Sequence, residues 1–158
     1  MRGAGRWHDL SSAFLMYAIE RGVALIGIVL VSHGPLAEGL KGAAEMIVGP
    51  QERFQALGMA SAADVDQLRT QIEAAAREVN DGTGVLVLAD LMGGSPANAS
   101  AYLATSGTPV ICGVSLPMLL EVLTSREYKS VEKLTETALQ AGKDGVVNLT
   151  QLLRQRPE

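Results

Sequence analysis

Residues Val23 to Val31 (Val-Ala-Leu-Ile-Gly-Ile-Val-Leu-Val) form an unbroken aliphatic and β-branched run, and this feature limits the possible folds most strongly. A strand with one wet face alternates apolar and polar residues. A continuous run predicts a strand buried on both faces, which means a parallel sheet covered by helices. The run stops at Ser32-His33-Gly34-Pro35. Leu36, Leu40, Ala43, Ala44 and Ile47 then recur at helical spacing, until Gly49-Pro50 ends the pattern. Pro35 stands at or near the first turn of that helix, where a missing N–H costs nothing.

The rest of the chain repeats this alternation. Phe54 to Gly58 reads as a short second strand. The helix after it is capped by Ser61 or Asp64 and carries an apolar stripe of Val65, Leu68, Ile72, Ala75 and Val79. Asn80-Asp81-Gly82 closes that helix. Gly84 to Ala89 is a third strand, Asp90 to Ser95 a glycine-bearing loop, and Pro96 to Ala104 a helix of small residues. Pro109 to Val114 reads as a fourth strand, Leu116 to Leu123 and Val131 to Ala141 as helices, and Val146 to Leu149 as a short last strand. Strands alternating with helices predict an α/β fold, a doubly wound, mostly parallel sheet flanked by helices.

Composition agrees. The chain has 158 residues, enough for one domain with its own core, and is 47% hydrophobic but only 4% aromatic. Its net charge of -4 argues against nucleic acid as a partner, since such proteins carry a basic face. Proteins or small molecules are the expected partners. The single cysteine, Cys112, cannot form an internal disulfide and sits in an apolar run, as a small buried hydrophobe would; a reducing, cytoplasmic setting is expected. Arg2, Arg6 and the short apolar run from Ala13 to Ile19 faintly resemble a signal peptide. Glu20 and Arg21 break the run, and residues 1–22 are read as an extension outside the functional core, with Met16 as an alternative start.

In open parallel sheets, reactive groups gather beyond the C-terminal ends of the strands. Three polar loops fall at that edge: Ser32-His33-Gly34, Asp90 to Asn98, and Gly113 to Pro117. In a flavodoxin-like order the first and third strands are neighbours, so His33 and Asp90 come together. There are two histidines, and His8 lies in the extension. Imidazole is partly neutral at physiological pH, so His33 can attack phosphorus with no separate base. A carboxylate such as Asp90 can hold the other ring N–H and fix the tautomer. Gly93 and Gly94 permit close approach of backbone amides at a helix start, and Ser95 adds a hydroxyl. Taken singly, each has a plainer reading: a strand-end histidine, a capping aspartate, a tight turn. Together they point to an anion or phosphoryl site.

Ile26 to Gly34 (Ile-Gly-Ile-Val-Leu-Val-Ser-His-Gly) and Asp90 to Asn98 (Asp-Leu-Met-Gly-Gly-Ser-Pro-Ala-Asn) closely resemble the two motifs of the mannose-family IIA components of the bacterial sugar phosphotransferase system. Gly113 to Glu121 resembles a third stretch of that family, with Ser115 in place of an expected Asn. The likeness runs from about Ala24 to Leu149. It implies a phosphotransferase domain over 23–150, followed by a tail at 151–158. It implies that His33 accepts a phosphoryl group from phospho-HPr and passes it to a IIB component, indirectly serving the membrane components IIC and IID. Asp90 would hydrogen-bond His33. Ser95, with the backbone of Gly34, Gly93 and Gly94, would steady the phosphoryl oxygens. Leu116, Pro117 and Met118 would offer an apolar docking rim, though each also suits ordinary helix-start packing. The resemblance further implies a homodimer exchanging an antiparallel edge strand, matched in place by Gly145 to Leu149, with neither cofactor nor metal.

Rival readings differ at identifiable residues. Histidine phosphatases and phosphoglycerate mutases need an arginine before the histidine, where this chain has Ser32. The phosphotransfer subunit of dihydroxyacetone kinases shares the strand-end histidine, but Gly93-Gly94-Ser95-Pro96 and Leu116-Pro117-Met118 favour the sugar-transport type. A regulatory module that reports phosphorylation state stays open on sequence. A nucleotide or flavin binder is disfavoured, because the chain has neither a dinucleotide fingerprint nor a Walker loop.

Overall fold

The computed structural model describes residues 24–60 and 65–154. The expected caps Ser61 and Asp64, and the extension 1–22, lie outside the described residues. Four strands, β1 (Gly27–His33), β2 (Phe54–Met59), β3 (Val85–Ala89) and β4 (Val110–Cys112), form one sheet in the order β2-β1-β3-β4, every pairing parallel. Helices α1 (Leu36–Val48), α2 (Val65–Val79), α3 (Ser95–Thr105), α4 (Leu116–Ser125), α5 (Val131–Asp144) and α6 (Leu149–Arg154) fill the connections and the C-terminal segment.

The pleat sorts β1 between two cores. Ile28 and Leu30 join Leu86, Leu88 and Ile111 beneath α1, α4 and α5. Val29 and Val31 join Val85 and Val87 beneath α2 and α3. All four of these β1 side chains are completely buried, which is what its continuous apolar run demanded. The stripe on α2 likewise places Leu68, Ile72, Ala75 and Val79 inside, while Val65 at its start is exposed.

Two contacts shape the edge that carries the site. The Ser32 hydroxyl, buried, accepts from the Ala37 N–H at 2.7 Å and so ties the end of β1 to the first turn of α1. Gly58 of β2 lies so close to the turn that follows β1 that a Cβ there would stand 2.2 Å from the Gly34 carbonyl oxygen. At the opposite edge, Arg126 is buried without a carboxylate bonded to it. It donates to the carbonyls of Ile26 (3.2 Å), Arg53 (3.3 Å) and Glu52 (2.7 Å), and to Gln51 Oε1 (3.1 Å). These bonds hold the loop before β2, where Arg53 adopts a left-handed φ of 50°. Arg53 also pairs with Asp81 at 2.8 Å.

The C-terminal strand expected at Val146 to Leu149 is absent from the single chain. Residues 146–148 are irregular, and Leu149 begins α6, which cuts across the expected boundary between domain and tail. A strand needs a ladder partner, and no strand among the described residues pairs with the outer edge of β4. Val146, Val147, Leu149, Leu152 and Leu153 are all exposed.

Candidate functional site

The chain passes from β1 outward to β2, then back across β1 to β3, so the switch point falls between β1 and β3. Their register pairs Val31 with Ala89, and the Asp90 N–H donates to the Val31 carbonyl at 3.1 Å. Asp90 is thereby fixed beside the last turn of backbone before His33. One carboxylate oxygen, Asp90 Oδ2, meets His33 twice: it accepts from the His33 backbone N–H at 2.8 Å and lies 2.7 Å from ring Nδ1.

Burial works to raise the Asp90 pKa, but the His33 backbone N–H and then the His33 ring outweigh it, and the carboxyl is held below its ordinary value. An ionised carboxylate only accepts hydrogen bonds, so the proton of a neutral His33 ring sits on Nδ1. Nε2 keeps its lone pair. The His33 side chain is 45% exposed and the Asp90 side chain 9%, so the carboxylate supports the ring from beneath while the ring reaches solvent.

The loop after Asp90 closes over that nitrogen. Gly93 takes φ +81°, and Gly94 packs so tightly that a Cβ there would lie 2.7 Å from His33 Cε1 and 3.4 Å from Nε2. Gly94 is the N-cap of α3 and Ser95 its first residue, with Pro96 in the first turn. Pro96 has no N–H, while the Ser95 and Ala97 amides precede the point where helical acceptors begin. The positive end of α3 therefore faces the free nitrogen of His33.

Two expected contributors fall elsewhere. The Gly34 amide donates to the Met59 carbonyl at 2.8 Å, so it is spent on joining the turn to β2 and is not open to a phosphoryl oxygen. The role of Gly34 is conformational, with φ +51°. Met118 is not part of an apolar rim: it is 3% exposed and packs in the core, close to where a Cβ on Gly142 would stand. Helical geometry explains this, since the third residue of α4 turns toward the sheet. Pro117 is exposed and Leu116 half-buried. The Ser115 hydroxyl caps α4, accepting from the Met118 N–H at 3.4 Å.

The sequence reading missed Ser32, Gly58 and the exposed pair Leu91 and Met92. Ser32 had a usable signal, a hydroxyl residue just ahead of a helical stripe. The close approach at Gly58 depends on the β1–β2 register and left no local trace. Among the described residues, no group of three or more His, Cys, Asp or Glu is placed to hold a metal ion. None of the helices described is long and apolar enough to cross a membrane.

Fold and site together define a flavodoxin-like α/β protein with a histidine–carboxylate pair at its switch point. Residues 27–139 match the EIIA-man family, described as the PTS system fructose IIA component. The chain therefore belongs to the EIIA-man family of phosphotransferase-system IIA components. It is 30% identical over 112 residues to the fructose-specific EIIA component of Bacillus subtilis, covering 70% of this chain and 77% of that protein. It is 35% identical over 124 residues to the mannose-specific EIIAB component of Escherichia coli K12, covering 77% of this chain but spanning only 38% of that longer protein. Among solved structures, an EIIA component from Streptococcus agalactiae superposes with a TM-score of 0.74 at 27% identity, over 80% of this chain and 99% of the other.

Proposed function

We propose that this protein is a phosphoryl carrier of the sugar phosphotransferase system, with His33 as the carrying residue and Asp90 as its orienting partner. The observation that carries this reading is the bond between Asp90 Oδ2 and His33 Nδ1, which leaves Nε2 free beside the start of α3. In the forward step the Nε2 lone pair forms a bond to phosphorus as the bond from phosphorus to the donor's imidazole nitrogen breaks. That electron pair departs with the donor ring. Positive charge gathers on His33, where the Asp90 carboxylate offsets it, and the amides of Ser95 and Ala97 with the Ser95 hydroxyl receive the phosphoryl oxygens. No covalent catalyst beyond the two imidazoles is required, since the reaction depends on holding them in line.

The donor in this reading is phospho-HPr and the acceptor a histidine of a IIB component, which hands the group on to sugar at the membrane components IIC and IID. Such a carrier works in the cytoplasm without a cofactor, and as a homodimer. The relatives' names differ in sugar, mannose in one and fructose in another, as expected of a component that does not touch the sugar.

The test is phosphorylation by phosphoenolpyruvate, enzyme I and HPr. The expected product is an acid-labile, base-stable phosphohistidine that vanishes in His33→Ala. Label persisting in that variant would sink the assignment.

A further inference from the structure

None of the six residues of α6 is buried, and a helix that short is not stable in water without packing. Leu149, Leu152 and Leu153 are 65%, 51% and 56% exposed. They fall at i, i+3 and i+4, so they form one apolar face. A short helix with such a face marks a contact.

A groove of about 460 Å³ lies at the end of the sheet opposite to His33, at the foot of β4. Leu103, Pro109 and Val131 line it, together with the ring of Tyr102, itself 52% exposed. The apolar surface offered there has the same character as the face of α6.

Within one chain the two are carried apart. Helix α5 starts at the groove with Val131 and runs for 14 residues, about 21 Å, toward the edge that carries His33. It ends at Gly145, where a Cβ would stand 2.7 Å from Pro117 in the first turn of α4. Residues 146–148 leave from that edge. Laid antiparallel on the outer edge of β4 in a second copy, they run from Cys112 back toward Val110. That path delivers α6 to Pro109 of the second copy, and so to its groove. Area argues the same way. Strand β4 has three residues, and two such ladders cover little of the roughly 1,600 Å² that a specific interface buries. Seating α6 adds apolar surface at both ends of the exchange.

We infer that α6 of each copy seats Leu152 and Leu153 in the groove at the foot of β4 in the other copy, and so fastens the exchanged segment. This rests on the homodimer proposed above. The contact lies at the far end of the sheet from His33, so it joins two copies without covering either site.

The test uses full-length chains in a Cys112→Ala background, one carrying Thr108→Cys and the other Leu152→Cys. Mixed and oxidised with diamide, they should give a disulfide-linked dimer. Neither chain alone should do so, nor should Leu152→Cys mixed with Met46→Cys on α1. Separately, L152S/L153S should raise the dimer dissociation constant by about tenfold or more in sedimentation equilibrium. Its His33 labelling by phosphoramidate, which donates to histidine directly and releases ammonia, should match wild type. A wild-type dimer without the cross-link would overturn the seating of α6. So would a dissociation constant of the double variant within about twofold of wild type, or a cross-link inside single chains carrying both cysteines at monomeric dilution. If wild type never dimerises, the homodimer reading itself fails and takes this inference with it, a result distinct from the others.

Discussion

At the scale of single residues, one carboxylate oxygen determines which nitrogen of His33 reacts. Asp90 Oδ2 accepts from both the backbone N–H and the ring, so Asp90→Asn removes the charge, and its amide can turn either an oxygen or an NH2 toward the Nδ1 that the carboxylate holds. Transfer from phospho-HPr should slow by roughly a hundredfold in that variant, measured by rapid-quench labelling, because tautomer and charge are lost together. Stability should follow with a defined pH dependence. The folded-state pKa of Asp90 is depressed, so its contribution is fully present above the ordinary carboxylate value of 3.8 and is lost as pH falls through the lower folded value. Urea unfolding should show wild type more stable than Asp90→Asn by about 1–3 kcal/mol near neutrality, with the gap closing as pH falls below the ordinary carboxylate value. A gap that persists in strong acid would contradict the direction of the shift. Gly94 makes a separate residue-scale prediction. An alanine Cβ would enter within 2.7 Å of His33 Cε1, and the ring cannot retreat without breaking its bond to Asp90. Gly94→Ala should reduce phosphorylation by about tenfold to a hundredfold while circular dichroism shows the helical content retained.

At the scale of elements, the site is a consequence of β1 and β3 being neighbours in parallel register. Much of this was legible. The uninterrupted run ending at Val31, and the strand ending at Ala89, place His33 and Asp90 at one edge from the sequence alone. Helix α2 was equally readable, because its stripe has to match the face it buries. Contacts that depend on register or on distant loops were not readable: the close approach of Gly58 to the Gly34 carbonyl, the diversion of the Gly34 amide to Met59, and above all Arg126. A lone arginine near the end of a helix looks like a solvent-exposed cation in sequence. Here burial pushes its pKa down to about 10, and its two terminal nitrogens donate to the carbonyls of Ile26, Glu52 and Arg53 and to one side-chain oxygen. Arg126→Ala would remove this donor from the Ile26 and Glu52 carbonyls, leave the Arg53 carbonyl with only the Ile28 N–H, and loosen the left-handed turn at Arg53. It should cost about 1–3 kcal/mol in urea unfolding while leaving His33 labelling intact under folding conditions, since the clamp lies at the other end of the sheet.

At the scale of the whole molecule, two unsatisfied surfaces lie in one chain. The outer edge of β4 carries no ladder among the described residues, and the segment from Val146 to Leu153 exposes five large aliphatic side chains. Exposed sheet edges are hazards that proteins keep short, cover or charge; Val110–Cys112 is short but offers no charged residue. No strand forms at 146–149 in the single chain, and one can form where a second copy presents its own β4 edge. The homodimer proposed above provides that partner for both copies at once, as a two-fold arrangement must. Removing residues 146–158 should therefore convert a dimer into a monomer in sedimentation equilibrium. The monomer's stability should be lower and independent of concentration, whereas the full chain's midpoint should rise with concentration. His33 and Asp90 come from neighbouring strands of the same chain, so the truncated protein should still take label from phosphoramidate. A full-length chain that sediments as a monomer at all accessible concentrations would leave the β4 edge and the aliphatic segment unpaired, and would refute the exchange.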